Sequence, residues 1–175
     1  ADVIVFALYP HTFIDWISKH GKLIKKGTVI TDVTGVKGCI VEKIQSMLPE
    51  GVEFISAHPM AGREVYGVEN SDERMFYGAN YVVVPTEKNT ENGIECCKRI
   101  AEILGFGRIV ELSPKEHDDL IGFVSQLTHC IAVSLMTCYE NENLERYTAD
   151  SFRDLTRIAN INETLWSELF FLNRD

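Results

Sequence analysis

Hydrophobic positions along the 175 residues fall into two regimes. As far as Leu112, short continuous apolar runs alternate with helically spaced ones; from Ser113 onward only helical spacing remains. The first run, Val3 to Leu8, has no alternation, which predicts a strand covered on both faces. Pro10 ends it, and Phe13, Ile14, Trp16 and Ile17 then form a helical face leading to Gly21. Further runs begin at Thr28 and Glu53, with Ile40, Ile44, Met47 and Leu48 helically spaced between them. Strand–helix–strand–helix–strand at this constant pitch predicts parallel, right-handed pairing. The pattern is half of a doubly wound α/β fold.

Asn80–Pro85 and Arg108–Leu112 are two more strand candidates. They bracket a helix carrying Ile94, Cys97, Ala101 and Leu104 on one face and closed by Gly105. Gly105-Phe106-Gly107 is not a dinucleotide turn, because Val110 holds the third glycine position and the element precedes a strand. Ser113-Pro114-Lys115-Glu116 starts a helix, with cap, proline and acid in order. It is expected to run to about Tyr139, apolar on more than one face and therefore buried between neighbours. Ser125, Gln126, Thr128 and His129 at its centre argue against a membrane span. Asp150 or Ser151 should cap a short helix, Phe152 to Ala159. A last amphipathic segment carries Leu165, Trp166, Leu169, Phe170 and Leu172. This divides the chain into an α/β domain, 1–112, and a helical domain, 113–175, that is incomplete or completed by a second subunit.

Composition narrows the partners. Acidic residues outnumber basic ones 26 to 17, for a net charge of −9, and no Lys/Arg block exists. Nucleic acid and anionic membranes are therefore not expected as partners. The five cysteines show no C-x-x-C spacing, so neither a metal site nor a dithiol motif is expected, and a reducing cytoplasm fits. No signal peptide precedes Ala1, so Asn162-Glu163-Thr164 is read as a chance sequon.

Four clusters could carry chemistry. His58 is expected at the carboxyl end of its strand, where open sheets bind ligands, with Pro59 stopping the ladder, Ala61-Gly62 allowing close backbone approach, and Arg63 and Glu64 nearby. The plainer reading is a histidine satisfied by local backbone. Gln126 and His129 lie one turn apart on an apolar helix, where Ser125 would suffice as a partner. Arg153 and Arg157 repel one another at i,i+4, unless an anion faces them or they form a solvated face with Asp154. Thr31-Asp32-Val33-Thr34-Gly35-Val36-Lys37-Gly38 suits a small anion at a strand-to-helix turn, or is simply a tight turn.

Taken together, T-D-V-T-G-V-K-G at Thr31–Gly38, H-P-M-A-G-R-E at His58–Glu64, S-Q-L-T-H at Ser125–His129 and F-R-D-L-T-R-I-A at Phe152–Ala159, followed by Trp166, resemble the prephenate dehydrogenase family, including its arogenate-using relatives. The resemblance implies the second half of a Rossmann-type cofactor domain, then the start of an all-α dimerisation domain, and a homodimer. It implies NAD(P)-dependent oxidative decarboxylation of prephenate to 4-hydroxyphenylpyruvate in tyrosine biosynthesis, with NAD favoured over NADP. His58 would take the ring hydroxyl proton, and His129 is the second candidate catalytic residue. Arg157 would hold a substrate carboxylate, with Arg153, Glu64, Gln126 and Thr34 also toward the substrate. Leu8, Pro10, Asp32, Thr34 and Gly35 would lie toward the cofactor. Two departures stand out: Gly35 occupies a position that is serine in many members, leaving Thr34 to offer a hydroxyl, and the G-x-G-x-x-G turn with its ribose acid is absent. Alternatives are a non-catalytic module for substrate binding or dimerisation, and an arogenate dehydrogenase.

Overall fold

The computed structural model describes residues 1–62 and 67–174. Three strands, β1 (Val3–Phe6), β2 (Val29–Asp32) and β3 (Glu53–Phe54), pair in parallel in that order. The connecting helices are α1 (Pro10–His20), with proline at its start, and α2 (Val41–Met47). Phe6, Phe13, Ile17, Ile30, Ile44 and Phe54 make one buried core between sheet and helices. β1 departs from the expectation of burial on both faces: Val3 is 38% and Val5 50% exposed. As the outer strand it pairs only with β2 among the described residues, so its apolar run reads as two-sided cover that this chain does not supply.

The run from Glu53 does not end at His58. After Ile55 it continues as β4 (Ser56–Met60), which turns to pair antiparallel with β5 (Asn80–Val84), and β5 pairs in parallel with β6 (Arg108–Glu111). Pro59 stands inside this ladder, opposite Tyr81, and does not break it. The reason lies in which way the amides point. Ile55 donates its N–H to Ile30 and Ala57 donates to the Asp32 carboxylate, both on the β2 side. Pro59, two residues further, would point its missing N–H the same way, away from β5, so no ladder bond is lost. Asp32 thus extends β2 with a side chain where its backbone leaves off. A second core, with Ile55, Ala57, Tyr81, Val83, Cys97 and Ala101, packs under α3 (Glu91–Leu104), which Gly105 closes in the left-handed region at φ 82°.

The helical part begins with α4 (Pro114–Ile121), whose Ser113–Glu116 capping box forms as expected. A widened π turn, Gly122–Gln126, joins it to α5 (Leu127–Thr137). This long helix is not buried between neighbours: Leu120, Phe123, Val124, Leu127, Ile131 and Met136 are all exposed. By length and composition alone it could cross a membrane. α6 (Asp150–Thr156) has Ala149 at its cap, not Asp150 or Ser151, and passes into a 3-10 turn, Arg157–Ala159. α7 (Glu163–Leu172) is capped by Asn162, whose side chain accepts from Leu165 N–H.

Candidate active site

A cavity of about 660 Å³ opens between the carboxyl ends of β1 and β2, the middle of β4 and helices α4, α5 and α7. His58, His129 and Arg157, far apart in sequence, all line it. So do Leu8, Pro10, Thr34, Gly35 and Gln126. Arg153 does not: it is exposed on α6 and ion-paired with Asp150 at 2.8 Å. The two arginines still share the helical i,i+4 register, since Arg157 N–H donates to the Arg153 carbonyl, but Arg153 turns back to Asp150 while Arg157 reaches the cavity. Arg63 and Glu64 lie outside the described residues. Gly62 lines the cavity with nothing within 4 Å of a β-carbon built on it, so this glycine is not there for close approach.

His58 is held from behind. Its Nδ1 lies 2.9 Å from Nε2 of His117, and Nδ1 of His117 lies 2.7 Å from Oδ1 of Asp118. A carboxylate only accepts, so His117 donates from Nδ1 and presents a bare Nε2. His58 must then donate from Nδ1, which leaves the lone pair on its Nε2, the nitrogen on the Gly35 side of the ring. The tautomer that a general base requires is therefore set by two residues that the sequence reading passed over. Burial first, then the charge of Lys37, holds His58 well below its ordinary 6.5, so this base is neutral and ready. Burial also lowers His117, against the pull of Asp118.

Asp118 in turn is fixed by the turn after β2. It accepts from Lys37 N–H at 2.8 Å and from Gly38 N–H at 2.7 Å. A β-carbon on Gly38 would sit 3.0 Å from its Oδ2, so the carboxylate can approach this closely only over a glycine. The Thr31–Gly38 turn does bind an anion, and the anion is Asp118.

The same network corrects two expectations. Asp32 is fully buried and does not line the cavity. Its carboxylate accepts from Ser56 Oγ at 2.6 Å, Ala57 N–H at 3.0 Å, Thr34 N–H at 3.0 Å and Lys37 Nζ at 3.0 Å, and also from the Thr34 hydroxyl. No acceptor capacity is left for a cofactor. The Thr34 hydroxyl is likewise turned inward, among Asp32, the Val36 carbonyl and Lys37 Nζ, so it is not offered to a substrate.

On the opposite wall, His129 donates from Nδ1 to the Ser125 carbonyl at 2.9 Å, so Ser125 is its partner through the backbone. Its ring stacks on Trp166 with centroids 3.7 Å apart, which leaves Nε2 as its free edge. Gln126 spends its amide on α7, accepting from Asn173 at 2.8 Å and reaching the Leu169 carbonyl at 3.4 Å. It is a brace for the wall more than a ligand. Leu169 packs against Gly35, its Cδ2 3.4 Å from where a β-carbon would stand, and that β-carbon would lie 3.9 Å from His58 Nε2. Glu168 ties α7 to the start of α1, accepting from His11 N–H at 2.8 Å.

His117 was legible in one respect. It stands four residues before Ile121, and so on the same face of the capped helix as an apolar position.

Comparison with known proteins fits this arrangement. The family description "Prephenate dehydrogenase, nucleotide-binding domain" matches residues 1–111, and "Prephenate dehydrogenase, dimerization domain" matches 113–175. Prephenate dehydrogenase of Bacillus subtilis is 33% identical over 157 residues, covering 87% of this chain and 42% of the relative. Cyclohexadienyl dehydrogenase of Zymomonas mobilis is 30% identical over 156 residues, covering 86% and 53%. The crystal structure of prephenate dehydrogenase from A. aeolicus in complex with hydroxyphenyl propionate and NAD+ superposes with a TM-score of 0.86 at 29% identity, over 99% of this chain and 61% of that one. The chain spans about half the length of the curated relatives it matches. On the strength of both family matches, which together run from Ala1 to Asp175, this chain belongs to the prephenate dehydrogenase family.

Proposed function

We propose that this chain carries the proton-accepting half of a dehydrogenase that converts prephenate to 4-hydroxyphenylpyruvate and carbon dioxide, in aromatic amino acid biosynthesis. The observation that carries the reading is the Asp118–His117–His58 relay aimed into a cavity shared with His129 and Arg157. His58 Nε2 receives the proton of the substrate's ring hydroxyl as that carbon becomes a carbonyl. The proton stays on an imidazole whose other N–H is already committed to His117, so the ring does not need to turn. Arg157 supplies an always-charged fork for a substrate carboxylate. His129 presents its Nε2 edge beside it, held flat by Trp166. Loss of the ring carboxylate as carbon dioxide is driven by aromatisation and asks little of the protein.

The residues present fit the reactive end of a nicotinamide cofactor. Leu8, Pro10 and Gly35 wall the cavity at the carboxyl ends of β1 and β2, where doubly wound sheets receive dinucleotides. The group when bound accepts the hydride from the carbinol carbon. NAD is favoured over NADP, since the A. aeolicus relative is seen with NAD+. The exposed apolar face of α4 and α5 supports a homodimer through this helix, in keeping with the dimerization description of residues 113–175. The described cysteines are all unpaired, which supports a reducing cytoplasm.

The test is His58→Asn in the full-length enzyme, with prephenate and NAD+ and, in parallel, arogenate. Turnover should fall by roughly 10²- to 10⁴-fold, the usual worth of a positioned general base. Near-normal turnover removes the assignment, and faster wild-type turnover of arogenate moves the substrate to the amino analogue.

A further inference from the structure

Lys37 takes no part in the proton transfer itself, yet it is completely buried behind the base. Its Nζ touches three oxygens: Asp32 Oδ2 at 3.0 Å, Thr34 Oγ1 at 3.2 Å and the Ala57 carbonyl at 2.6 Å. An ammonium has three protons for these three oxygens and a neutral amine two, so the contacts favour the charged form, against burial, which outweighs Asp32 and lowers the affinity for that proton. Placing such an ion pair in a core seldom adds stability over an apolar pair of the same size. Something other than stability is a better account of why it is there.

The contacts say what. Ala57 immediately precedes His58 in β4, so the ammonium grips the strand segment that carries the imidazole. The backbone N–H of the same residue holds Asp118, the far end of the relay. One residue therefore clamps both ends of the three-membered chain. We propose that Lys37 is a positioning residue for His58: it fixes the distance between the base and Asp118, and its buried charge stands where it penalises a second proton on the imidazole. The inference rests on His58 being the base proposed above. The two devices behind the ring then divide the work. Asp118, acting through His117, decides which nitrogen is bare, and Lys37, adding to burial, extends the pH range over which it stays bare.

The charges that face His58 come from few elements among the described residues. Asp32 at the end of β2 and Lys37 in the turn after it lie behind it, His117 and Asp118 come from α4, and His129 and Arg157 lie across the cavity. Of these, Lys37 and His117 act to lower its proton affinity, after burial.

The test is proton NMR titration of the His58 ring in this chain, assigned by His58→Asn, for wild type, Lys37→Arg, Lys37→Met and the paired Asp32→Asn/Lys37→Met. Wild type should keep the neutral ring signal down to the onset of acid unfolding, and Lys37→Arg should match it. Lys37→Met should bring a titration into view, shifted upward by about one pH unit or more. The paired variant removes both charges, so that neither is left unpaired in the core, and it should shift in the same direction. The acid limb of kcat/KM in the full-length enzyme should follow. An unmoved His58 signal in a folded variant lacking the lysine charge overturns the inference and leaves the role of His58 itself standing. A role in stability alone would lower the unfolding midpoint of Lys37→Met without moving the titration, which is also a refutation.

Discussion

Nδ1 of His58 and Nε2 of His117 lie 2.9 Å apart, so a helix at the start of the second family segment dictates which nitrogen of a strand histidine is left to act. That dependence predicts the result of disturbing the far end. Asp118→Asn can offer an amide N–H to His117 Nδ1, which flips its tautomer and pushes a proton onto His58 Nε2. In the full-length enzyme kcat should fall by about 10²- to 10⁴-fold with little change in KM, as when the orienting acid of a catalytic histidine is lost. Steady-state kinetics read the split, and a loss confined to KM would contradict it.

The two neutral histidines also set the acid stability. Both take up a proton less readily in the folded chain than their ordinary 6.5. Below about that pH the unfolded chain binds protons that the native chain refuses, so stability is present above it and lost as pH falls. Each group contributes up to about 1.4 kcal/mol per pH unit in that window. Urea midpoints measured from pH 7 to 5 should decline, and His58→Asn should flatten the slope.

Arg157→Ala should act on binding. A hydrogen-bonded charge pair is worth roughly 1.5–3 kcal/mol, so KM for the carboxylate substrate should rise about 10- to 100-fold while kcat changes less. An unchanged KM would remove the carboxylate contact from the reading.

Asp32→Asn distinguishes a buried strut from a cofactor ligand. It leaves Lys37 charged and unpaired in the core, and breaking such a pair costs on the order of 3–5 kcal/mol. Denaturant unfolding should show that loss, with the KM for NAD+ of the folded fraction unaltered.

Much of this was legible in residue periodicity. The continuous runs at Val3, Thr28 and Glu53 predict the parallel strands, and the helices between them follow from spacing alone. The break between β3 and β4 was not, because it depends on a side chain, Asp32, taking over a peptide's hydrogen bonds. Pro59 misleads for a related reason: its missing donor matters only on one side of the strand, and sequence does not say which side is paired. His58, His129 and Arg157 line one cavity, whereas Arg153 does not, because an acid one turn earlier, Asp150, draws its side chain away. His117 and Asp118 carry no motif of their own. The exposed α4–α5 face shows the limit of counting apolar residues, since a helix greasy on several sides does not reveal whose surface it awaits.

The π turn at Gly122–Gln126 sets the phase of the helix that follows it. It carries one residue more than an ordinary turn, so everything beyond it is rotated by about 100° relative to a regular helix. His117 and Asp118 lie before that insertion, His129 after it, yet they serve the same side of the molecule. Deleting any one of those five residues would yield a more regular rod, and would swing the second imidazole away from the chamber that the first one faces.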